Sequence, residues 1–421
     1  MHGSRRNFFR SSLAASSLVS MGGATVPTFL ARSALAASHP AAKSGGDRVL
    51  VVIQLIGGND GLNTVIPHAM DGYAKGRKAL RIKSDEVKTI TSEIGLHPAM
   101  GGFAGLIEGG HAAIIQGVGY PNPDRSHFRS MEIWEGATTA AGKPETGWLG
   151  RALDSAPRGS GGDMPGLHLG GHGLPLALRA RDATVPSLET LDQFRLRIEG
   201  ADADRRASRD ALDSLTRLDR GPDDALLGFL RRSTLAAFDA SRRLEAVVAP
   251  KDGGASYPNY GLARRLELIA RIIKAGFGTR IYYTSLDGFD THANQAAPHR
   301  ALLTELSASL AAFHADLAAD GQADRVATLA FSEFGRRVEE NASGGTDHGA
   351  AAPVFVVGPL AKTGLVGEHP SFDKLDDGDL RFKTDFRRVY ADLLGPWLGI
   401  PAAPIVGDGH EPVGLFGPEG T

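Results

Sequence analysis

Nearly continuous apolar runs recur along the chain, and most of them end in glycine or in polar residues. The first is RVLVVIQLIGG at 48–58, and similar runs follow at 111–119, 279–290, 325–335 and 352–358. Uninterrupted Val/Ile/Leu runs of this kind are typical of strands buried on both faces of a sheet. Segments with helical periodicity precede the third and fourth runs, so strands and helices alternate. This order predicts an α/β fold with helices on both faces of a mainly parallel sheet.

The pattern changes in the middle of the chain. Residues 197–247 are charged and rich in Ala and Leu, with helical periodicity and no intervening strand, and Gly/Pro/Ser-rich stretches bracket the section. We therefore predict a helical insertion or cap at about 155–260. Apolar spacing over 384–399 predicts a closing helix. The rest of 37–421 is expected to form a single α/β domain around this insertion.

The first 36 residues have the pattern of an export signal. SRRNFFR at 4–10 precedes an uncharged segment rich in Ser, Ala and Gly, and an Ala-x-Ala site ends at Ala36. The arginine pair indicates the twin-arginine route, so we expect its translocase as a partner and a periplasmic or secreted mature chain. The apolar part of the signal is too weak for a membrane-spanning helix.

Charge and cysteine content narrow the chemistry. The formal net charge is −2 and the chain has no Cys. No basic block or long apolar segment follows the signal, so neither nucleic acid binding nor an integral membrane segment in the mature chain is expected. The lack of cysteine excludes disulfides, thiolate metal sites and cysteine nucleophiles. Any metal ion must therefore be bound by His, Asp, Glu, Asn or hydroxyl oxygen.

Polar clusters follow the predicted strands at the point where each strand ends. Ligands bind at the carboxyl ends of the strands in an open parallel sheet, so these clusters should share one edge. Carboxylate and imidazole groups recur among them, and these groups suit zinc, manganese, magnesium or calcium. The sequence therefore predicts a divalent-metal site. The candidates are Asn59, Asp60, Asn63, Asp287, Asp290, His292, Gln295, Glu333, Arg336, Asp347 and His348.

A further candidate lies after the second apolar run, in PDRSHFRSMEIWEG, where Ser126 is placed to cap a helix. A serine in this position is structural more often than nucleophilic. Likewise Asp60 in a GNDG loop, taken alone, is most often a turn residue. The coincidence of residue type and strand-end position favours a functional site over these separate explanations.

Five motifs in order carry a family resemblance: GGNDGLN, RSHFRSMEIWEG, FDTHANQ, SEFGRRVEEN and GGTDHG. Together they resemble the exported bacterial family known as domain of unknown function 1501, which is similar to the alkaline phosphatase-like superfamily. The resemblance spans about 48–400 and implies a three-layer α/β sandwich with two metal sites and a hydroxyl nucleophile, Ser126. The metal ligands that it implies are Asp60, Asp290, His292, Asp347 and His348.

Two features depart from that superfamily. Asp290 and His292 are two residues apart, whereas the superfamily spaces this pair by four, so one of them could lie outside the direct ligand set. The superfamily also has a further distal histidine, for which His369 and His410 are the late candidates in this chain.

The substrate expectation follows from the absence of a typical sulfatase motif. Typical sulfatases of the superfamily modify a Cys or Ser within a C/S-x-P/A-x-R motif, and this chain reads SHFRS at that place. A direct serine hydroxyl, with Arg129 or Arg336 beside the developing oxyanion, suits phosphoryl transfer better. Either arginine could equally be a solvated or helix-pairing side chain. Glu333 could be an acid/base group or a buried partner of Arg336.

We therefore expect an exported metal-dependent hydrolase that acts on a phosphate ester of a small molecule or glycan. Two alternatives remain open. One is a non-catalytic exported binding protein on the same fold, and the other is a sulfate- or carboxyl-ester hydrolase with the same metals and serine.

Overall fold

A computed structural model of the chain describes residues 48–155, 165–171, 173–188, 247 and 255–417, together with the strand pair Ala24–Thr25 and Arg197–Ile198. The other strands and the α-helices are, in order, β1 (Val49–Ile56), α1 (Gly61–Thr64), β2 (Val65–Ile66), α2 (Asp71–Gly76), β3 (Lys88–Thr89), β4 (Gly95–Leu96), α3 (Gly101–Glu108), β5 (Ala112–Gly119), α4 (His127–Gly136), α5 (Trp148–Ser155), β6 (Gly166–Leu169), β7 (Ser187–Leu188), α6 (Gly261–Lys274), β8 (Ile281–Asp287), α7 (Ala296–Ala319), β9 (Val326–Ser332), β10 (Arg336–Glu340), β11 (Thr346–His348), β12 (Ala352–Val357), β13 (Gly364–Val366), β14 (Thr384–Asp385), α8 (Phe386–Asp392) and α9 (Ala403–Val406).

Nine of the described strands form the main sheet, in the order β13-β5-β12-β9-β1-β8-β6-β7, with β14 also paired to β5. Neighbouring strands are parallel except where β12 pairs with β9 and β5. The mainly parallel sheet predicted from the apolar runs is therefore confirmed. β12 is antiparallel because only the β10–β11 hairpin connects it to β9, and a parallel return needs a longer crossover, usually a helix.

The sheet is covered on both faces. Val51 and Ile53 of β1 pack with the helices α3, α6 and α7, whereas Leu50 and Val52 pack with α4, α5, α8 and α9. Because successive strand residues point to opposite faces, β1 must be apolar at nearly every position. Each such aliphatic side chain contributes about 1.5–3 kcal/mol when it is fully buried. The three-layer sandwich follows directly from these two cores.

The middle section divides into two parts. Gly166–Leu169 and Ser187–Leu188 are strands of the main sheet, so this part of the 155–260 range belongs to the α/β layers. The predicted helical insertion falls mostly on residues outside the described ranges and stays a prediction.

The predicted closing helix is confirmed as α8, which continues into a π-helical turn at Leu393–Trp397. The Asp385 carboxylate caps α8 by accepting the Arg387 backbone N–H at 3.0 Å. Within the described ranges, no helix combines the length and apolar character needed to cross a membrane.

Candidate metal centre

Side chains from three separate segments meet at the carboxyl edge of the parallel strands. His127 begins α4, Asp290 and His292 follow β8, and His348 ends β11. Asp290 Oδ1 lies 3.4 Å from His127 Nε2, 3.0 Å from His292 Nε2 and 3.3 Å from His348 Nε2. We call these four residues the histidine–aspartate cluster. The antiparallel direction of β12 helps to form it, because the chain just before β12 lies at this same edge.

Hydrogen bonds determine which ring nitrogen of His348 and of His127 is unprotonated and faces the cluster. His348 Nδ1 lies 2.8 Å from the Arg125 carbonyl oxygen, which can only accept, so Nδ1 carries the proton. His127 Nδ1 lies 2.7 Å from Glu333 Oε1 and donates in the same way. In the neutral rings each Nε2 is then an unprotonated acceptor. Burial lowers the pKa of His348, which favours its neutral form.

His292 completes the same arrangement. Its Nδ1 lies 3.3 Å from Asp347 Oδ1, and its Nε2 lies 3.5 Å from Arg336 Nη1, which can only donate. His292 Nε2 also lies 2.8 Å from His348 Nε2 and 3.0 Å from Asp290 Oδ1, and both of these atoms can accept a hydrogen bond. A proton on His292 Nε2 would donate to one of them, and a metal ion bound between the rings would take the place of that proton.

The donor set fits a divalent metal ion. His127, Asp290 and His348 each offer one ligand atom, and these atoms lie within 4.8 Å of one another. His127 Nε2 is buried and has no hydrogen-bond partner within the described ranges. Each imidazole donates its other N–H to a carboxylate or carbonyl, which is the support that metal-bound histidines usually have. Three neutral imidazoles and one carboxylate would leave a bound M²⁺ ion with about one positive charge.

Arg336 holds the cluster in place. Its side chain is fully buried and donates to Asp290 Oδ1 at 2.7 Å, to the Gly58 and Thr346 carbonyl oxygens at 2.7 Å each, and to the Gly57 and Phe289 carbonyl oxygens. Burial alone would raise the pKa of Asp290, but the hydrogen bond and charge of Arg336 outweigh it and lower that pKa to about 2. The N–H groups of Arg336 are therefore already engaged, and its role beside an oxyanion stays a prediction.

Glu333 supports His127 rather than Arg336. Its Oε1 accepts hydrogen bonds from His127 and from the Gly57 backbone N–H at 2.9 Å. The hydrogen bond that His127 donates to Glu333 raises the pKa of His127, so the ring binds a cation more readily. Ser130, one turn further along α4, donates to the Glu333 carbonyl oxygen at 2.5 Å and fixes the start of this helix against the end of β9.

Small residues allow the Asp347–His348 segment to approach the cluster. A Cβ on Gly345 would collide with the backbone of His292, and one on Gly349 would collide with the backbone of Arg336. Gly345 and Gly349 of GGTDHG are thus required by close backbone contacts. Asp347 itself lies in an outer position, where it accepts from Asn341 Nδ2 at 3.1 Å and contacts His292 Nδ1. The hydrogen bond from Asn341, followed by that from His292, lowers the pKa of Asp347.

Asp60 is not in the histidine–aspartate cluster. Its Oδ1 pairs with Arg77 Nη2 at 2.7 Å, both side chains have 0 % exposure, and Gln295 donates to Oδ2. A buried guanidinium neutralises the Asp60 carboxylate in this structure, and the role of Asp60 as a metal ligand stays a prediction. Spacing could not reveal Arg77 as its partner.

Ser126 occupies the predicted N-cap position of α4, but its side chain makes no capping hydrogen bond. It is exposed and stands between two contacts of the cluster, the carbonyl of Arg125 and the ring of His127. Arg129 is directed elsewhere, since it donates to the Ala140 and Gly142 carbonyl oxygens at 2.6 and 3.0 Å. Its role beside an oxyanion stays a prediction.

The third imidazole of the cluster is His127, which the sequence analysis did not select. His369 instead contacts the Pro370 carbonyl oxygen and stacks on Phe372, and His410 does not belong to the cluster either. One signal for His127 was present, because it directly follows Ser126 at a helix start that faces the strand ends.

The fold and the cluster define a three-layer α/β protein with a candidate histidine–carboxylate metal site. The chain belongs to the family described as "Protein of unknown function (DUF1501)", whose model matches residues 89–376. This membership confirms the family expected from the five motifs. No curated protein matches the chain.

Several solved structures are similar to this chain at low identity. The lipoteichoic acid synthase LtaP from Listeria monocytogenes is 8 % identical, with 76 % of this chain and 68 % of that chain covered and a TM-score of 0.35. Alkaline phosphatase from the Antarctic bacterium TAB5 is 12 % identical, with 76 % and 95 % covered and a TM-score of 0.30. The PsFucS1 sulfatase from Pseudoalteromonas sp. is 11 % identical, with 84 % and 72 % covered and a TM-score of 0.33.

Proposed function

We propose that this protein is a metal-dependent ester hydrolase that acts on phosphate esters. The observation that carries the proposal is the convergence of the His127, His292 and His348 Nε2 atoms on the Asp290 carboxylate, at 3.0 to 3.4 Å. Their side chains are 22 to 48 % exposed, so a substrate could reach them.

The residues of the chain have distinct roles in this proposal. The histidine–aspartate cluster would hold the ion, which when bound would supply positive charge to a phosphate oxygen and to an attacking hydroxyl. Glu333 and Asp347 orient two of the rings, and Arg336 holds the Asp290 carboxylate ionised. Zinc or manganese suits three imidazoles and one carboxylate better than magnesium or calcium does.

Ser126 is the proposed nucleophile. Its oxygen would form a bond to phosphorus while the bond from phosphorus to the ester oxygen breaks, and water would later release phosphate from the serine. Ser126 precedes the first turn of α4, whose N–H groups and dipole favour a negatively charged group. Its position between Arg125 and His127 supports this role.

A panel of esters tests the proposal. Phosphate mono- and diesters, sulfate esters and carboxyl esters are assayed with added zinc, manganese, magnesium or calcium, using wild type, Ser126→Ala, His348→Ala and the control Ser155→Ala, an exposed serine at the end of α5. We expect phosphate-ester turnover that His348→Ala and Ser126→Ala abolish and Ser155→Ala retains. Turnover confined to another ester class would identify that class instead. Full activity of Ser126→Ala would exclude the serine as nucleophile.

A non-catalytic binding protein is the second candidate. It is favoured by the complete engagement of Arg336 and by the pairing of Asp60 with Arg77, since neither group is available to reacting atoms. A protein that binds zinc or manganese stoichiometrically but turns over no ester in the panel would support this candidate over the hydrolase.

We also propose that the protein is exported by the twin-arginine route. The proposal rests on the SRRNFFR sequence and the Ala-x-Ala site at 34–36. Mass spectrometry of the protein from the producing cell should find a mature chain that begins at Ala37. Replacement of both Arg5 and Arg6 by Lys should retain the full-length chain in the cytoplasm. A cytoplasmic wild-type protein that keeps its first residues would contradict export.

A further inference from the structure

A cleft of about 700 Å³ opens beside the histidine–aspartate cluster. It is lined by residues 122–125, Ala350 and residues 376–377 and 379–382. Arg125 connects the two places, because it lines the cleft while its carbonyl oxygen accepts the hydrogen bond from His348 Nδ1 at 2.8 Å. The volume lies in the range of small-ligand pockets, about 300–1,000 Å³. A molecule in this cleft would have one end next to the cluster.

The charged groups of the cleft wall are mostly paired. Arg125 contacts Asp377 at 2.9 Å and Asp379 at 2.7 Å, and Arg337 reaches Asp377 at 3.1 Å. Four aspartates and two arginines line the cleft, so negative charge is in excess, and donors and acceptors are fixed side by side. Such a wall suits hydroxyl groups, each of which donates one hydrogen bond and accepts others.

Asp379 gives an independent indication of a ligand. The residue is only 2 % exposed, and its Oδ1 has no hydrogen-bond partner within the described ranges. Arg337 Nε is 3.7 Å from this oxygen, which is too far for a hydrogen bond. Unsatisfied buried acceptors are uncommon in native proteins and call for a partner. A hydroxyl donor in the cleft could supply one after a small side-chain shift.

The same wall includes apolar surface. Pro123, Leu380 and Phe382 line the cleft together with the charged groups. A sugar ring offers both an apolar face of C–H groups and an edge of hydroxyls. An acyl chain would leave the polar groups without partners.

We propose that this cleft binds the hydroxyl-rich ring of a sugar ester, with the ester group directed to the histidine–aspartate cluster. The link to catalysis rests on the proposed ester hydrolysis. Binding of the ring is a property of the cleft itself and can be measured without turnover.

Two exposed residues of the cleft wall, Asp376 and Arg381, allow a test that leaves the cluster intact. The variants are Asp376→Asn and Arg381→Gln, and the matched control is Asp408→Asn, an exposed aspartate outside the cleft lining. The esters are the 6-phosphates of glucose and N-acetylglucosamine, with methyl phosphate as a substrate that lacks a ring. We expect each cleft variant to raise KM for the sugar phosphates about fivefold to tenfold, because each variant loses one or two hydrogen bonds to the ring. The same variants should change kcat/KM for methyl phosphate less than twofold, because this substrate has no ring.

A second measurement separates this inference from the proposed hydrolysis. Saturation-transfer NMR is recorded on the full chain with free glucose, N-acetylglucosamine and glucuronic acid. Sugar binding that the two cleft variants weaken and the control retains would support the cleft even if no ester is hydrolysed. Absence of binding by all three sugars, or an equal loss of activity on methyl phosphate and sugar phosphates, would overturn the inference.

Discussion

The replacement Glu333→Gln tests how the candidate metal centre is built. The Glu333 side chain is 1 % exposed, and its Oε1 lies 2.7 Å from His127 Nδ1. Glutamine has the same shape, and its oxygen can still accept from His127 and from the Gly57 N–H. Its amide nitrogen would lie near Ser332 Oγ, which contacts Glu333 Oε2 at 3.1 Å and can accept a hydrogen bond. The change therefore removes a negative charge while it keeps the packing.

The expected loss follows from the role of that charge. The hydrogen bond that His127 donates to the Glu333 carboxylate raises the pKa of His127, so glutamine should lower that pKa and weaken the ring as a ligand. Replacing the supporting partner of a metal-bound histidine typically lowers metal affinity about 10- to 100-fold. That range corresponds to about 1.4–2.8 kcal/mol of binding free energy. Removal of the ring itself, in His127→Ala, should cost more.

Competition titrations with a chelator measure zinc and manganese affinity of wild type and both variants. The matched control is Glu132→Gln, since Glu132 lies on the same helix but pairs with Arg129 at 3.4 Å and Lys143 at 3.5 Å. NMR titration of the metal-free protein should show a lower His127 pKa in Glu333→Gln, and its melting temperature checks that the fold is retained. If Glu333→Gln changes neither the metal affinity nor the His127 pKa, the proposal that Glu333 strengthens His127 as a metal ligand is refuted.

Three further predictions concern the surroundings of the cluster. Arg77→Met should lower the free energy of unfolding in urea by about 3–5 kcal/mol, because it leaves the buried Asp60 carboxylate without its cation. The metal stoichiometry of this variant should equal that of wild type. A loss of metal would show that Asp60 is a ligand. Burial lowers the pKa of both His97 and His299 from 6.5 to about 4. Their contribution to stability is therefore complete above pH 6.5 and lost as pH falls toward 4, and a urea midpoint that does not fall between these pH values would contradict it. Gly345→Ala should displace the loop from the His292 backbone and lower zinc affinity, whereas Gly321→Ala, where nothing would touch an added Cβ, should leave zinc affinity unchanged in the same titration.

Much of the fold could be predicted from the sequence, because a strand buried on both faces must be apolar at nearly every position. The five runs became β1, β5, β8, β9 and β12, and the helices between them formed the outer layers. Parallel strands end at a common edge, so the order of elements also brought Asp290, His292 and His348 together.

The tertiary structure decided which side chains face one another. Asp60 and Asp290 both follow parallel strands, yet one is neutralised by Arg77 and the other faces three imidazoles. The partner of each group comes from a distant part of the chain, as when Glu333 reaches His127 across 206 positions. The sequence determined the apolar periodicity and the chemical groups available at the sheet edge. Long-range packing alone fixed the direction of each side chain, and with it which carboxylates are buried with arginine and which can bind a metal ion.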